Sequence, residues 1–300
     1  MVNERLVSII TEAVMRQLRE SGYVILPDGN GEKSEGSGQA DERTLQAEPR
    51  EDIISAACKA KPLLQDPQDS EALMRMKRST NARIGVGCAG PRLNTQTMLA
   101  MRADHAKARD AVFTDVSSEL TERLGLMTVQ SMCDCKDTYV TRPDLGRKLS
   151  DQAVEALKQN CVANPDVQIF AADGLSSSAV EANLERILPI LMDGLQAKGL
   201  KAGTPFFLRF GRVGAEDHVA EVLGAKVVCV LIGERPGLAT AESMSAYIVY
   251  NAYVGMPEAK RTVVSNIHKD GLSAVEAGAY IVEVIEQILK QRASGVDLKK

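Results

Sequence analysis

Hydrophobic and polar positions follow two different regimes along this chain. Up to about residue 163 the apolar residues recur mostly every three or four positions, and beyond it short continuous apolar runs alternate with helical stretches. In the first regime, Leu6, Ile9, Ile10, Ala13, Val14 and Leu18 fall at helical spacing between Glu4, Arg5, Glu12, Arg16, Arg19 and Glu20, which predicts an amphipathic helix over 1–22. Residues 28–43 are mostly Gly, Ser, Asp and Glu with almost nothing to bury, so 23–50 reads as a flexible linker. Helical patterns follow at 53–61, 70–78, 95–112, 120–126 and 151–162, joined by short polar loops, with strands expected at 83–86 and 126–129. This makes 51–163 a mainly helical region.

After Asn164 and Pro165 the period changes. Runs at 167–172, 205–210, 227–232, 245–249 and 262–267 read as strands, separated by helical patterns at 179–198, 217–223 and 275–291. Alternation of this kind builds an α/β fold, a mostly parallel Rossmann-like sheet flanked by helices, over 164–300. No internal repeat is visible.

Composition narrows the function classes. In 300 residues, 44% are hydrophobic, enough for a real core, and the net charge of −4 leaves no basic footprint. With five Phe, six Tyr and no Trp, platforms for stacking bases are few, so nucleic acid is not an expected partner. The longest apolar stretches are strand-sized, well short of the roughly 20 residues of a spanning helix, and the first residues lack a signal peptide's uninterrupted apolar region. A cytoplasmic protein without a membrane partner is the expectation. Cys58, Cys88, Cys133, Cys135, Cys161 and Cys229 lack paired C-x-x-C spacing, which argues against a disulfide framework or structural zinc.

The strand ends share one chemical style. Asp173 to Ser178 follow the first strand after Pro165, Gly211 to Val213 the second, and Gly233-Glu234-Arg235-Pro236-Gly237 the third. In an open α/β sheet these turns converge on the carboxyl edge, where ligands bind. Glycine there lets backbone approach a ligand closely, and Ser176 to Ser178 are suited to cap the next helix. Each turn taken alone is equally an ordinary strand-to-helix connection. A dinucleotide fingerprint is missing, because Asp173-Gly174-Leu175-Ser176 offers one glycine. Outside the sheet, Arg102-Ala103-Asp104-His105 lies inside a helix, and Arg142, Asp144 and Arg147 form either bidentate pairs at a subunit contact or a solvated cluster. Cys133 and Cys135 would share a face if they lay on a strand. No complete triad, metal set or phosphate loop is present. The first helix is suited to dock on a partner or a membrane surface, or to fold back on its own body.

Several motifs together resemble one family. GxAGPR at 87–92, RADHAxARDxVF at 102–113 and KDxYxTRPDLGR at 136–147 are joined by CVANPDVQ, DGLSSSAVEAN, GTPFFxRxGRV, DHVAEVLGAKVVCVLIGERPGL, AESMSAY, GMPEAKRTVVSNIH and ASGVDLKK between residues 161 and 300. They are similar to the small (light) subunit of ethanolamine ammonia-lyase. The resemblance implies an adenosylcobalamin-dependent lyase that converts ethanolamine to acetaldehyde and ammonia by a radical route. It also implies a hetero-oligomer, with ethanolamine bound mainly by the large subunit and the cobalamin between the two chains. The chain is then inactive alone. The family's cobalamin contacts carry over to Val213, Glu234 and Val263, with no catalytic or metal-ligating residue. Arg212 and Arg235 stand beside these contacts, suited to meet the phosphate of the cofactor's nucleotide tail, though pairing with Glu234 or Glu221 is the expected role. The helix over 1–22 resembles encapsulation peptides, which implies targeting to the shell of a bacterial microcompartment. Cys88 stands where the family usually has Arg, Ala100-Met101 where it has Arg-Phe, and residues 269–274 where Gly-Gly-Thr-Pro-Pro is usual. Two other readings remain open: an oxidoreductase holding a nucleotide cofactor at the same sheet edge, and a non-catalytic scaffold whose strand-end loops are only turns.

Overall fold

The computed structural model describes residues 52–53 and 55–299, so the expected helix over 1–22 and the linker over 23–50 lie outside the described residues. In chain order the elements are α1 (Ala56–Ala60), α2 (Ser70–Arg78), the two-residue strands β1 (Cys88–Ala89) and β2 (Arg92–Leu93), α3 (Thr95–Phe113), α4 (Ser118–Arg123), β3 (Met127–Gln130), α5 (Lys136–Thr141) and α6 (Asp151–Asn160). Then follow β4 (Val167–Ala172), α7 (Ser177–Ala197), β5 (Phe206–Arg209), α8 (Ala215–Leu223), β6 (Val227–Gly233), β7 (Met244–Tyr250), β8 (Thr262–Ile267) and α9 (Ala274–Gln291). Side chains set where these helices begin. Asp69, Ser117, Ser150, Ser176 and Ser273 each accept an amide of the following first turn, and Ser273 with Glu276 completes a capping box. Gly224, in the left-handed conformation, ends α8.

Six strands form one sheet in the order β3-β5-β4-β6-β7-β8. The first four run parallel, and β7 runs antiparallel to both of its neighbours. The sequence reading of a mostly parallel α/β sheet therefore holds, with a reversed strand set near one edge. The reversal has a simple cause: residues 234–243 and 251–261 carry no α-helix and are too short for the crossover that a parallel neighbour requires. Every residue of β4 and β6 is buried, as expected of central strands covered on both faces.

The two faces are packed by different helices. On one, Ile169, Ala171, Phe207, Cys229, Leu231, Ala246, Ile248 and Val264 meet α7, α9 and Leu120 of α4. On the other, Phe170, Phe206, Leu208, Val228, Val230, Ile232 and Val249 meet α6 and α8. The helical region before the sheet is tied together by Asp104 of α3, buried to 4% exposure, which pairs with Lys59 at 2.8 Å and with Arg83.

Two local expectations are corrected, and one feature of the sheet edge was not anticipated. Residues 83–86 are not a strand; the strand pair forms instead at Cys88–Ala89 and Arg92–Leu93, around the Gly90-Pro91 turn. Lys136–Thr141 is helical, so Cys133 and Cys135 do not share a strand face: Cys133 is buried and Cys135, at the start of α5, is exposed. Finally, β8 is closed at both ends of its open edge. The Gly295 amide donates to Thr262 Oγ1 at 2.8 Å, and Leu272 bridges Ile267.

Candidate functional site

The turns after β4, β5 and β6 do converge, and the glycines explain how. Gly174 has φ +57°, and a Cβ there would lie 2.2 Å from the Gly233 carbonyl oxygen; a Cβ on Gly233 would lie 2.1 Å from the Ser176 oxygen. Leu175 closes the contact by donating its amide to Gly233 O at 3.0 Å. These glycines thus serve backbone-to-backbone packing between strand ends, rather than approach to a ligand. The end of β6 packs closely against the turn after β4, and the single glycine of that turn is taken up by this contact. Ser176 caps α7 as expected, and both Ser176 and Ser178 donate to Ala241 O.

Asp173 anchors the β4 and β5 ends. Its Oδ1 accepts the Gly211 amide at 3.1 Å, and its Oδ2 lies 3.5 Å from Lys136 Nζ. Burial pushes this carboxyl up, while Lys136 and the amides of Phe210 and Gly211 pull the other way. Lys136 sits 5.6 and 5.5 Å from the ring centres of Tyr139 and Phe210. Tyr139 donates to Gly211 O at 3.1 Å, and Arg212 lies over the Tyr139 ring and donates to its carbonyl at 2.8 Å. The KDxYxTRP segment is therefore the brace of the β5 turn. Arg212 does not pair with Glu234 or Glu221, and Arg142 pairs with Asp144 of its own segment at 2.8 Å.

Glu234 and Val263, far apart in sequence, share a neighbour that the sequence reading did not single out. Tyr247 of β7 stands beside Val230 of β6 on one side and Val263 of β8 on the other. Its hydroxyl donates to Glu234 Oε1 at 2.8 Å. Burial raises the Tyr247 phenol, and the bond to Glu234 acts in the same direction. Since Val264 points into the α7–α9 layer, strand alternation turns Val263 to the opposite face, where it is 45% exposed. The α6–α8 layer covers the central strands on that face and leaves Val263 and the neighbouring Ser265 open. Ser245 of β7 is fully buried with no partner for its Oγ among the described residues. Two signals for Tyr247 were present: the short 234–243 connection implies a hairpin, and a hairpin returns β7 alongside Glu234.

Val213 precedes α8 and packs, half-buried, against the same layer as Tyr247. Val213 stands at the entry to α8, and Val263 on β8. What fixes the two regions is Arg261, just before β8, whose Nε binds Glu216 Oε2 at 3.1 Å and whose Nη2 binds Asp217 Oδ1 at 2.6 Å, both on α8. Arg261 and Glu216 are essentially inaccessible, at 1% and 0% exposure. Burial pushes both carboxyls up, and Arg261 opposes the shift. Hydrogen bonding, strand pairing and the Arg261 ion pairs thus link Glu234 to Tyr247, Tyr247 to Val263, and the start of β8 to α8, which Val213 precedes, beside a ledge made of the carboxyl edge plus the uncovered face of β7 and β8. The remaining motifs lie by the 234–243 connection: His105 shares a cavity with Leu238, and His268 to Asp270 line one with Leu238 to Glu242. His105 and Cys88 are exposed, and residues 268–272 form a turn closed by the Leu272 amide on Asn266 O at 2.9 Å, a donor that proline lacks.

The profile of the ethanolamine ammonia-lyase light chain (EutC) matches residues 70–299. An ethanolamine ammonia-lyase small subunit from Fusobacterium nucleatum is 57% identical over 236 residues, covering 79% of this chain and 80% of the relative. Those from Clostridium tetani and Listeria monocytogenes are 55% and 49% identical over 248 residues, covering 83% of this chain and 84% and 85% of the relatives.

Proposed function

The chain belongs to the family of ethanolamine ammonia-lyase small subunits, and from that premise we propose that its ledge is one wall of an adenosylcobalamin site whose other wall is the large subunit. It is a member of an ammonia-lyase complex, and the reaction it serves is conversion of ethanolamine to acetaldehyde and ammonia. When bound, the cofactor supplies the radical chemistry that no side chain here provides.

The residues fit such a group. A corrin is a wide, largely apolar disc fringed with amides, and it calls for an open apolar surface with a few polar anchors. Val263 gives an exposed apolar floor, Tyr247 neighbours it across the β7–β8 pairing, Val213 stands half-buried at the entry to α8, and Glu234 offers an acceptor whose second oxygen, Oε2, takes no bond among the described residues. The observation that carries the reading is the meeting of Glu234 and Val263 at Tyr247, on a face the chain's own helices leave open. The acceptor role needs only the carboxylate or amide oxygen of residue 234, oriented toward the amide fringe. Nothing at the ledge is arranged for proton abstraction from substrate, in keeping with ethanolamine being bound mainly by the large subunit.

Glu234→Ala in the assembled two-chain complex tests this. Loss of one charge-assisted hydrogen bond, worth about 1.5–3 kcal/mol, weakens cobalamin retention on the order of tenfold or more, read by visible absorbance after gel filtration. Folding and subunit association stay intact. Unchanged retention removes the assignment.

The amphipathic stretch over 1–22, tethered by 23–50, supports a further element of the same proposal: it directs the complex to the shell of a bacterial microcompartment. Its apolar stripe is of the kind that lies in a partner's groove.

A further inference from the structure

We infer that Tyr247 is a positioning residue of the cofactor ledge, holding the Glu234 carboxylate in the orientation that meets an amide of the corrin rim; this rests on the reading of the ledge as a cobalamin wall. Glu234 leaves the end of β6 on the 234–243 turn, and its amide is bonded to Ser243 O at 3.0 Å. That bond fixes its backbone but not its side chain. The one side-chain contact it makes among the described residues is the Tyr247 hydroxyl, at 2.8 Å on Oε1. Since Oε1 is engaged there, Oε2 remains as the free acceptor, and the plane of the carboxylate is set by the phenol.

Tyr247 is suited to hold it. Its backbone is locked between β6 and β8 in register with Val230 and Val263. Its ring packs on the α6–α8 layer while one side remains open to the ledge. A free glutamate on a turn samples several rotamers, and ordering it on binding costs conformational entropy; a hydrogen bond already made before the ligand arrives removes that cost. Tyr247 thus acts through Glu234 and need not itself touch the ligand.

The test compares Tyr247→Phe, Glu234→Ala and the double variant in the complex with the large subunit. Hydroxocobalamin affinity is followed by visible absorbance, and the KM for adenosylcobalamin is measured separately from kcat and the KM for ethanolamine. Tyr247→Phe is expected to weaken hydroxocobalamin binding and raise the KM for adenosylcobalamin about fivefold, roughly 1 kcal/mol, with kcat and the ethanolamine KM unchanged. In the Glu234→Ala background the same change is expected to have no further effect, because the group it positions is gone. If Tyr247→Phe leaves affinity unchanged while Glu234→Ala lowers it, the positioning role is wrong and the ledge reading stands. If neither substitution changes affinity, both fail. An equal loss from Tyr247→Phe with and without Glu234 also overturns the inference, since the tyrosine would then act through the fold.

Discussion

Arg261 provides the sharpest test of how the ledge is held. Its guanidinium has essentially no access to solvent and spans Glu216 at 3.1 Å, Asp217 at 2.6 Å and Glu258 at 3.1 Å. Replacement by Met keeps much of the volume and apolar stem but strands Glu216 and Asp217 without their cation. Breaking a buried pair from one side costs about 3–5 kcal/mol, because the remaining charge stays desolvated. With a urea slope on the order of 2–3 kcal/mol per M, the unfolding midpoint should fall by more than about 1 M. The loss also carries a pH signature. Burial already raises both carboxyls above their ordinary range, and Arg261 is the main opposing influence. Without it the folded state binds protons more tightly than the unfolded chain, so the variant's stability is greatest at low pH and falls as pH rises through the raised folded values. Urea unfolding followed by circular dichroism at pH 5.5 and pH 8 should therefore show the larger deficit at pH 8. A deficit under about 1 kcal/mol, or one equal at both values, would refute the clasp as the element that fixes α8 against β8.

Two further outcomes are expected. Gly174→Ala forces a side chain into a left-handed position 2.2 Å from the Gly233 oxygen and should cost about 3 kcal/mol or more, whereas Gly237→Ala, whose nearest neighbour would be 3.7 Å away, should cost little in the same unfolding assay. Equal costs would mean the strand ends do not depend on that close approach. Deletion of residues 1–22 should leave lyase activity of the complex intact and abolish its co-sedimentation with microcompartment shells; persistent co-sedimentation would end the targeting proposal.

Much of the fold was legible because burial imposes a strong local signature. Val167–Ala172 and Thr262–Ile267 form strands with the bounds read from the apolar runs, and Ser70–Arg78 begins at its Asp69 cap as a helix. The Lys136–Thr141 helix was missed, because a short charged stretch before Arg142-Pro143 has no apolar period to betray it. For the site, the turns themselves were readable, but their purpose was not: Gly174 and Gly233 look alike whether they admit a ligand or one another. Arg261 and its partners on α8, Glu216 and Asp217, are separated by more than forty residues, so their pairing appears only once α8 is laid beside the start of β8. Tyr247 was recoverable in principle, since the short connection before it dictates a reversed neighbour and hence its closeness to Glu234.

The open margin of β8 is partly guarded. With the Gly295 amide on the Thr262 hydroxyl at one end and Leu272 paired to Ile267 at the other, the chain's own segments flank this edge and shorten what a foreign strand could zip onto. On the proposal made above, a companion polypeptide meets the exposed valine side of the sheet and is recognised by shape and side chains instead of by a shared ladder. A bulky or charged residue at position 263 should then block the companion's seat while leaving the sheet itself unharmed.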